Sequence, residues 1–255
     1  MDSKGTAKTM TDNRPHERLI LALDGENRKD LLTLADRLTG GVGSFKVGLE
    51  AFVRWGPSFV AEVAERGSVF LDLKLHDIPN TVAGAAAAAA GYNISLLTVH
   101  ATGGRAMIAA AVEAVRRGAD LAERERPKIL AVTILTSLAE NDLTEIGFAG
   151  SATDRVVALA RLAIEAGADG IVCSPLEVAP IRSALGAGPL VVTPGIRPAG
   201  AEAADQARAA TPAMAITAGA DRLVVGRPIT GATDPVAAAA AIVAQIGAAL
   251  RHQAV

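Results

Sequence analysis

The sequence predicts an α/β fold, a single-domain (β/α)8 TIM barrel, and three observations point there. Eight short apolar or β-branched runs recur along 255 residues. Alanine- and leucine-rich stretches with helical spacing separate them. The polar residues that interrupt the runs gather at their C-terminal ends, where barrels keep their chemistry. Continuous apolar strands alternating with helices mean a parallel sheet covered on both faces. An open doubly wound sheet is the rival, and it usually has fewer strands.

In chain order the runs are LILALD (19–24), FKVGL (45–49), VFLDLKL (69–75) and ISLLTVHA (94–101). The second half adds KILAVTIL (128–135), GIVCS (170–174), LVVTPGI (190–196) and RLVVGRPI (222–229). Leu31, Leu34, Ala35 and Leu38 show the helical spacing expected after the first strand. EAGADGIV (165–172) and TAGADRLVV (217–225) are similar helix-to-strand turns, as repeated βα units give. No linker or second domain is visible, so residues 18–255 read as one catalytic domain. Residues 1–17 are polar and aperiodic and read as a disordered tail. They hold no apolar run of signal-peptide length.

Composition excludes several classes. Net charge is −2, with no basic surplus for nucleic acid or an anionic membrane. No stretch is convincing as a membrane span, because the alanine run 83–91 is short and alanine forms helices more than lipid anchors. A soluble, cytoplasmic protein is expected. The single cysteine, Cys173, reads as a small buried filler, and four histidines without tight spacing carry no zinc signature.

The polar residues at the strand ends are Asp24, Lys46, Asp72, Lys74, Thr136, Pro194 to Arg197, and Gly226 with Arg227. The densest stretch is FLDLKLHDIPNT (70–81), which puts Asp72, Lys74 and Asp77 in and just past one buried strand. Charges are rarely buried unless paired or useful. Side chains two apart on a strand face the same way, so Asp72 and Lys74 point together. A buried ion pair closing the barrel is the plain reading. With Lys46, however, an Asp–Lys–Asp–Lys array is a device for placing a proton beside an anionic substrate. His100 receives a bland reading, as core or supporting residue without an evident partner.

DLKLHDIPNT resembles the active-site signature of the orotidine 5'-monophosphate decarboxylase family. LALD, FKVG, TILTS, DGIVCS, VTPGIRP, DQARAATP and VGRPI are similar to that family in the same order, over residues 18–250 and most like its bacterial branch. The resemblance implies that Lys74 is the proton donor and that Asp72 sits beside the substrate carboxylate. It implies a homodimer in which Asp77, Ile78 and Thr81 serve the site of the other subunit. Lys46 completes the charge network and, with Asp24, contacts the ribose. Thr136 contacts the pyrimidine. Arg197, Gln206, Gly226 and Arg227 hold the phosphate, with Gln206 also reaching toward the base. No metal or organic cofactor is implied.

The phosphate side is also readable physically. Loops after the last two strands of barrels often grip phosphate with backbone N–H groups and a helix N-terminus. Gly226 permits close backbone approach and Arg227 offers a forked cation. The segment from Ile196 to Thr211 is long for a barrel loop, which suggests a lid. Two rivals remain. A metal-dependent sugar-phosphate decarboxylase or synthase of the same superfamily resembles this pattern but carries an acid where Lys46 stands, and lysine there repels a divalent cation. The other is a catalytically silent nucleotide-binding barrel.

Overall fold

The computed structural model describes residues 14–148, 150–198 and 210–253. Eight parallel strands close into a barrel in sequence order. They are β1 (Leu19–Leu23), β2 (Ser44–Gly48), β3 (Val69–Leu75), β4 (Leu96–His100), β5 (Lys128–Val132), β6 (Gly170–Val172), β7 (Leu190–Thr193) and β8 (Arg222–Val225). The main outer helices are α1 (Arg28–Leu38), α2 (Leu49–Ala64), α3 (Pro79–Ala90), α4 (Gly104–Leu121), α6 (Ala152–Glu165), α7 (Val178–Leu185) and α10 (Pro235–Gln253). Shorter helices α5 (Glu140–Glu145), α8 (Pro212–Thr217) and α9 (Arg227–Thr230) lie in the loops around them.

Several boundaries fall short of the apolar runs, for reasons the residues supply. β7 stops at Thr193 because Pro194 has no N–H for the ladder. β8 stops at Val225, and Arg227 opens α9 with Pro228 in its first turn, where a missing N–H costs nothing. At the other end, Pro15–Arg18 already form a 3-10 turn, and Pro15 lies near Gly247 of α10. The folded chain therefore begins before residue 18, and part of the expected tail belongs to the barrel. By length and composition α10 could cross a bilayer, but Ala239, Ile242 and Ile246 bury its apolar face in the barrel's outer core.

Period-two alternation sorts the strands into two cores. Leu19, Leu21 and Leu23 of β1 face the helices, while Ile20 and Ala22 face the barrel axis. Phe70, Leu96, Leu130, Val132, Val172, Val192 and Val224 complete the inner core. Phe70 is 1% exposed, and truncating it to alanine would cost about 3–5 kcal/mol. The next inward step along β1 and β3 beyond Ala22 and Phe70 is Asp24 and Asp72. The inner core thus stops where the charges begin.

The two similar turns behave alike. Gly167 (φ 97°) and Gly219 (φ 106°) occupy the left-handed conformation that ends each helix. The aspartate two residues on then ties the turn to the preceding strand of the barrel. Asp169 accepts from the Ile129 N–H at 2.8 Å and pairs with Arg126; Asp221 accepts from the Val191 N–H at 2.8 Å and pairs with Arg182.

Candidate active site

A cavity of about 420 Å³ opens at the C-terminal ends of the strands. Asp24, Lys46, Asp72, Lys74, Thr136, Arg197, Gly226 and Arg227 all line it, so the structure brings together eight of the residues singled out from sequence. The ladder sets Lys46 one inward step below Asp24 and Asp72 on the strands either side. Lys46 pairs with Ala22 on one side and Phe70 on the other, and Gly48 pairs with Asp72.

The charges form a chain. Lys46 Nζ lies 3.7 Å from Asp24 Oδ1 and 3.5 Å from Asp72 Oδ2. Lys74 Nζ donates to Asp72 Oδ1 at 2.8 Å. Asp72 thus offers one oxygen to each lysine. Burial pushes its carboxyl pKa up, but Lys46, Lys74 and hydrogen bonds from Lys74 and Thr98 outweigh that and hold it below the ordinary 3.8. The Lys74 side chain is 35% exposed against 12% for Lys46, so of the two lysines Lys74 is the more open to the cavity.

Two glycines give the arrangement room. A Cβ on Gly48 would come within 3.0 Å of Lys46 Nζ and 3.2 Å of Asp24 Oδ1, crowding their ion pair. Gly195 adopts φ 80° in the turn after β7, which a side chain would resist. Gly226 differs from both. A Cβ there would meet Ala22 Cβ at 3.5 Å and Asp24 Oδ2 at 3.9 Å, ordinary contacts, so packing among the described residues does not require glycine at that position.

Three expected site residues stand elsewhere. Asp77, Ile78 and Thr81 are exposed, Ile78 at 66%, and none lines the cavity. Asp77 Oδ1 accepts from the Ile78 N–H at 2.6 Å. Gln206 lies outside the described residues, as does most of the expected lid. The feet of that segment meet: Arg197 N–H donates to the Ala210 carbonyl at 3.0 Å, and Ala210 N–H to the Gly195 carbonyl at 3.3 Å.

Sequence reasoning missed other features. Thr230, on α9, lines the cavity beside Arg227. Cys173 lines it too but is 1% exposed, and burial pushes its thiol pKa far up, so it is packing. His100 does have a neighbour: its ring centroid lies 5.3 Å from that of His76. Most consequentially, Lys74 has φ 51°, in the left-handed region that a lysine rarely occupies. Strand alternation alone therefore does not aim its side chain.

Comparisons with known proteins converge. The sequence profile of the family described as orotidine 5'-phosphate decarboxylase / HUMPS matches residues 17–242. A protein of Anaeromyxobacter sp. (strain K) named orotidine 5'-phosphate decarboxylase is 53% identical over 232 residues, 91% of this chain and 99% of that one. One of the same name from Halorhodospira halophila is 54% identical over 233 residues, 91% and 97% of the two chains. The crystal structure of orotidine 5'-phosphate decarboxylase from Lactobacillus acidophilus superposes with a TM-score of 0.80 at 41% identity, covering 89% of this chain and 98% of that one.

Proposed function

Because the chain belongs to the orotidine 5'-phosphate decarboxylase / HUMPS family and decarboxylates orotidine 5'-phosphate to uridine 5'-phosphate in pyrimidine biosynthesis, we propose that the Asp24–Lys46–Asp72–Lys74 array drives this reaction without a cofactor. The observation that carries the proposal is the Lys74 ammonium, fixed 2.8 Å from Asp72 and reaching into the cavity. The bond from the pyrimidine ring to the carboxylate breaks, CO₂ departs, and the electron pair stays on the ring carbon. That carbon has no obvious electron sink. A preorganised cation beside it stabilises the charge as it develops and costs no reorganisation at the moment of reaction. Lys74 then delivers a proton to the carbon and is reprotonated from solvent. Asp72 keeps Lys74 aimed, and its own charge opposes a carboxylate placed beside it.

The remaining roles follow the same division. Lys46 and Asp24 take the ribose hydroxyls, and Thr136 the pyrimidine. Arg197, Gly226 and Arg227 take the phosphate, with the first turn of α9 behind Gly226. The absence of a packing demand for glycine at position 226 among the described residues supports a ligand-side reason for it, since a phosphate could come close to a backbone without Cβ. Gln206 is assigned to the phosphate and base by family resemblance alone. The enzyme works in the cytoplasm as a homodimer, with Asp77, Ile78 and Thr81 reaching the partner's cavity. Their exposure and their position outside their own chain's cavity support this assignment.

Lys46 argues against the metal-dependent rival, because it already bridges the carboxylates of Asp24 and Asp72. Dialysis against a chelator should leave orotidine 5'-phosphate turnover, followed by its ultraviolet absorbance, unchanged. Activity that vanishes and returns with Mg²⁺ would favour the metal-dependent reading.

A further inference from the structure

The ladder between β3 and β4 breaks at one place. Phe70 pairs with Leu96 and Leu71 with Leu97; the next pair is Leu75 with Val99. Three residues on β3, Asp72 to Lys74, therefore face a single residue on β4, Thr98. The neighbouring β4–β5 ladder runs through five consecutive pairs without a break. Bulges of this kind re-aim side chains near active sites. Here the bulge contains Lys74 at φ 51°, and so sparsely populated a conformation persists only when its surroundings hold it.

Thr98 is the residue that holds it. It is fully buried, at 0% exposure. Its hydroxyl oxygen accepts the Lys74 backbone N–H at 2.8 Å, replacing the ladder partner that the bulge removes. The same hydroxyl donates its proton to Asp72 Oδ1 at 3.0 Å, the oxygen that also accepts from Lys74 Nζ. With that oxygen committed, Oδ2 is left toward Lys46. A hydroxyl has one proton, so both directions of the contact are fixed by its two partners. One side chain thus fixes the backbone of the lysine and the orientation of the carboxylate.

We propose that Thr98 is a positioning residue for decarboxylation, acting through the Lys74 backbone and the Asp72 carboxylate to hold the Lys74 ammonium where the developing charge appears. Thr98 does not line the cavity. The inference rests on the reading of Lys74 as the proton donor. It also explains why a polar residue interrupts the buried face of β4.

Thr98→Val keeps shape and removes the hydroxyl. Displacements on the order of 1 Å can cost about 10²-fold, so kcat should fall by about that factor. KM and the affinity for uridine 5'-phosphate should move by less than about threefold, since the phosphate and ribose contacts lie elsewhere. The acid limb of kcat/KM should shift to higher pH, because Asp72 loses a donor to its charged form. Thr98→Ser keeps the hydroxyl and should return most of the lost turnover. If the valine chain does not fold, Thr98→Ala carries the same expectation against serine. A valine variant with an intact melting curve, near-parental kcat and an unmoved acid limb would overturn the inference. Equal losses in valine and serine would overturn it too, by assigning the effect to methyl packing. Lys74→Ala separates the two levels. If that variant keeps its turnover, the reading of Lys74 fails; if it is dead while Thr98→Val is fully active, only the inference about Thr98 fails.

Discussion

The twelve residues from Phe70 to Thr81 divide into two halves that behave differently. In the first, Phe70 seals the inner core, Asp72 is 9% exposed, and Lys74 is tied to Asp72 and lines the cavity. In the second, every residue from His76 to Thr81 is exposed, and Asp77 binds only the backbone of the next residue among the described contacts. A charge on a strand is aimed by the barrel that surrounds it. A charge on the loop beyond is aimed by whatever that loop touches, and in this account that is a second subunit.

The contrast is sharpest at Lys74. On the proposed roles, Lys74→Ala removes both the cation beside the ring carbon and the proton source. General-acid and electrostatic contributions together make a fall in kcat of about 10⁴-fold or more the expected result. The fold should survive, because Lys46 still faces the buried Asp72 carboxylate and no wholly unpaired charge is left inside. Binding of uridine 5'-phosphate, measured by calorimetry, should stay detectable. Turnover close to the parent's would remove Lys74 from its role.

A smaller effect is expected where the cavity binds and does not react. Arg227→Ala should lower kcat/KM for orotidine 5'-phosphate by about 10- to 100-fold, the worth of one charge-assisted contact. Phosphate binding energy supports the transition state from a distance, so part of the loss should appear in kcat. The phosphate-free nucleoside should be much less affected. Equal losses for both substrates would move Arg227 away from the phosphate.

The mildest effect concerns the hinge between the two halves, where His76 and His100 meet. Burial, then His76 and Lys74, lower the His100 pKa below the ordinary 6.5, against an opposing pull from Asp72. A depressed folded-state pKa means that the unfolded chain takes the proton first as pH falls. The stability that His100 contributes is therefore complete above pH 6.5 and is lost as pH drops below it. Melting temperatures followed through that range should decline, and His100→Gln should flatten the decline. A slope unchanged by the substitution would mean that other groups carry it.

The fold was legible because strand parity and helix spacing are written directly in residue order. The same parity carried Asp24 and Asp72 to the inner face, since each lies two residues beyond an apolar inner position, Ala22 and Phe70. What parity could not supply was the bulge. Lys74 reaches the cavity from a left-handed backbone, and no pattern in VFLDLKL announces a positive φ. Thr98 was hidden for a different reason: a β-branched threonine suits any strand, so its hydroxyl drew no attention within LLTVH. Glycine at position 48 leaves room for an ion pair between side chains that meet there, a contact that exists only in three dimensions. The rings of His76 and His100 were likewise brought together by neighbouring strands, which residue order does not display.

The division of the 70–81 stretch between two subunits is tested most directly by mixing inactive partners. Lys74→Ala and Asp77→Asn homodimers should each be badly impaired. When the two are dissociated together and reassembled, a mixed dimer holds one site with both defects and one with neither, because a two-fold interface makes every exchange reciprocal. Random reassembly makes about half the dimers mixed, so activity should return to about a quarter of the parent's. If Asp77 served its own chain, every site would keep a defect. No recovery, with reassembly confirmed by tag exchange, would contradict the shared site.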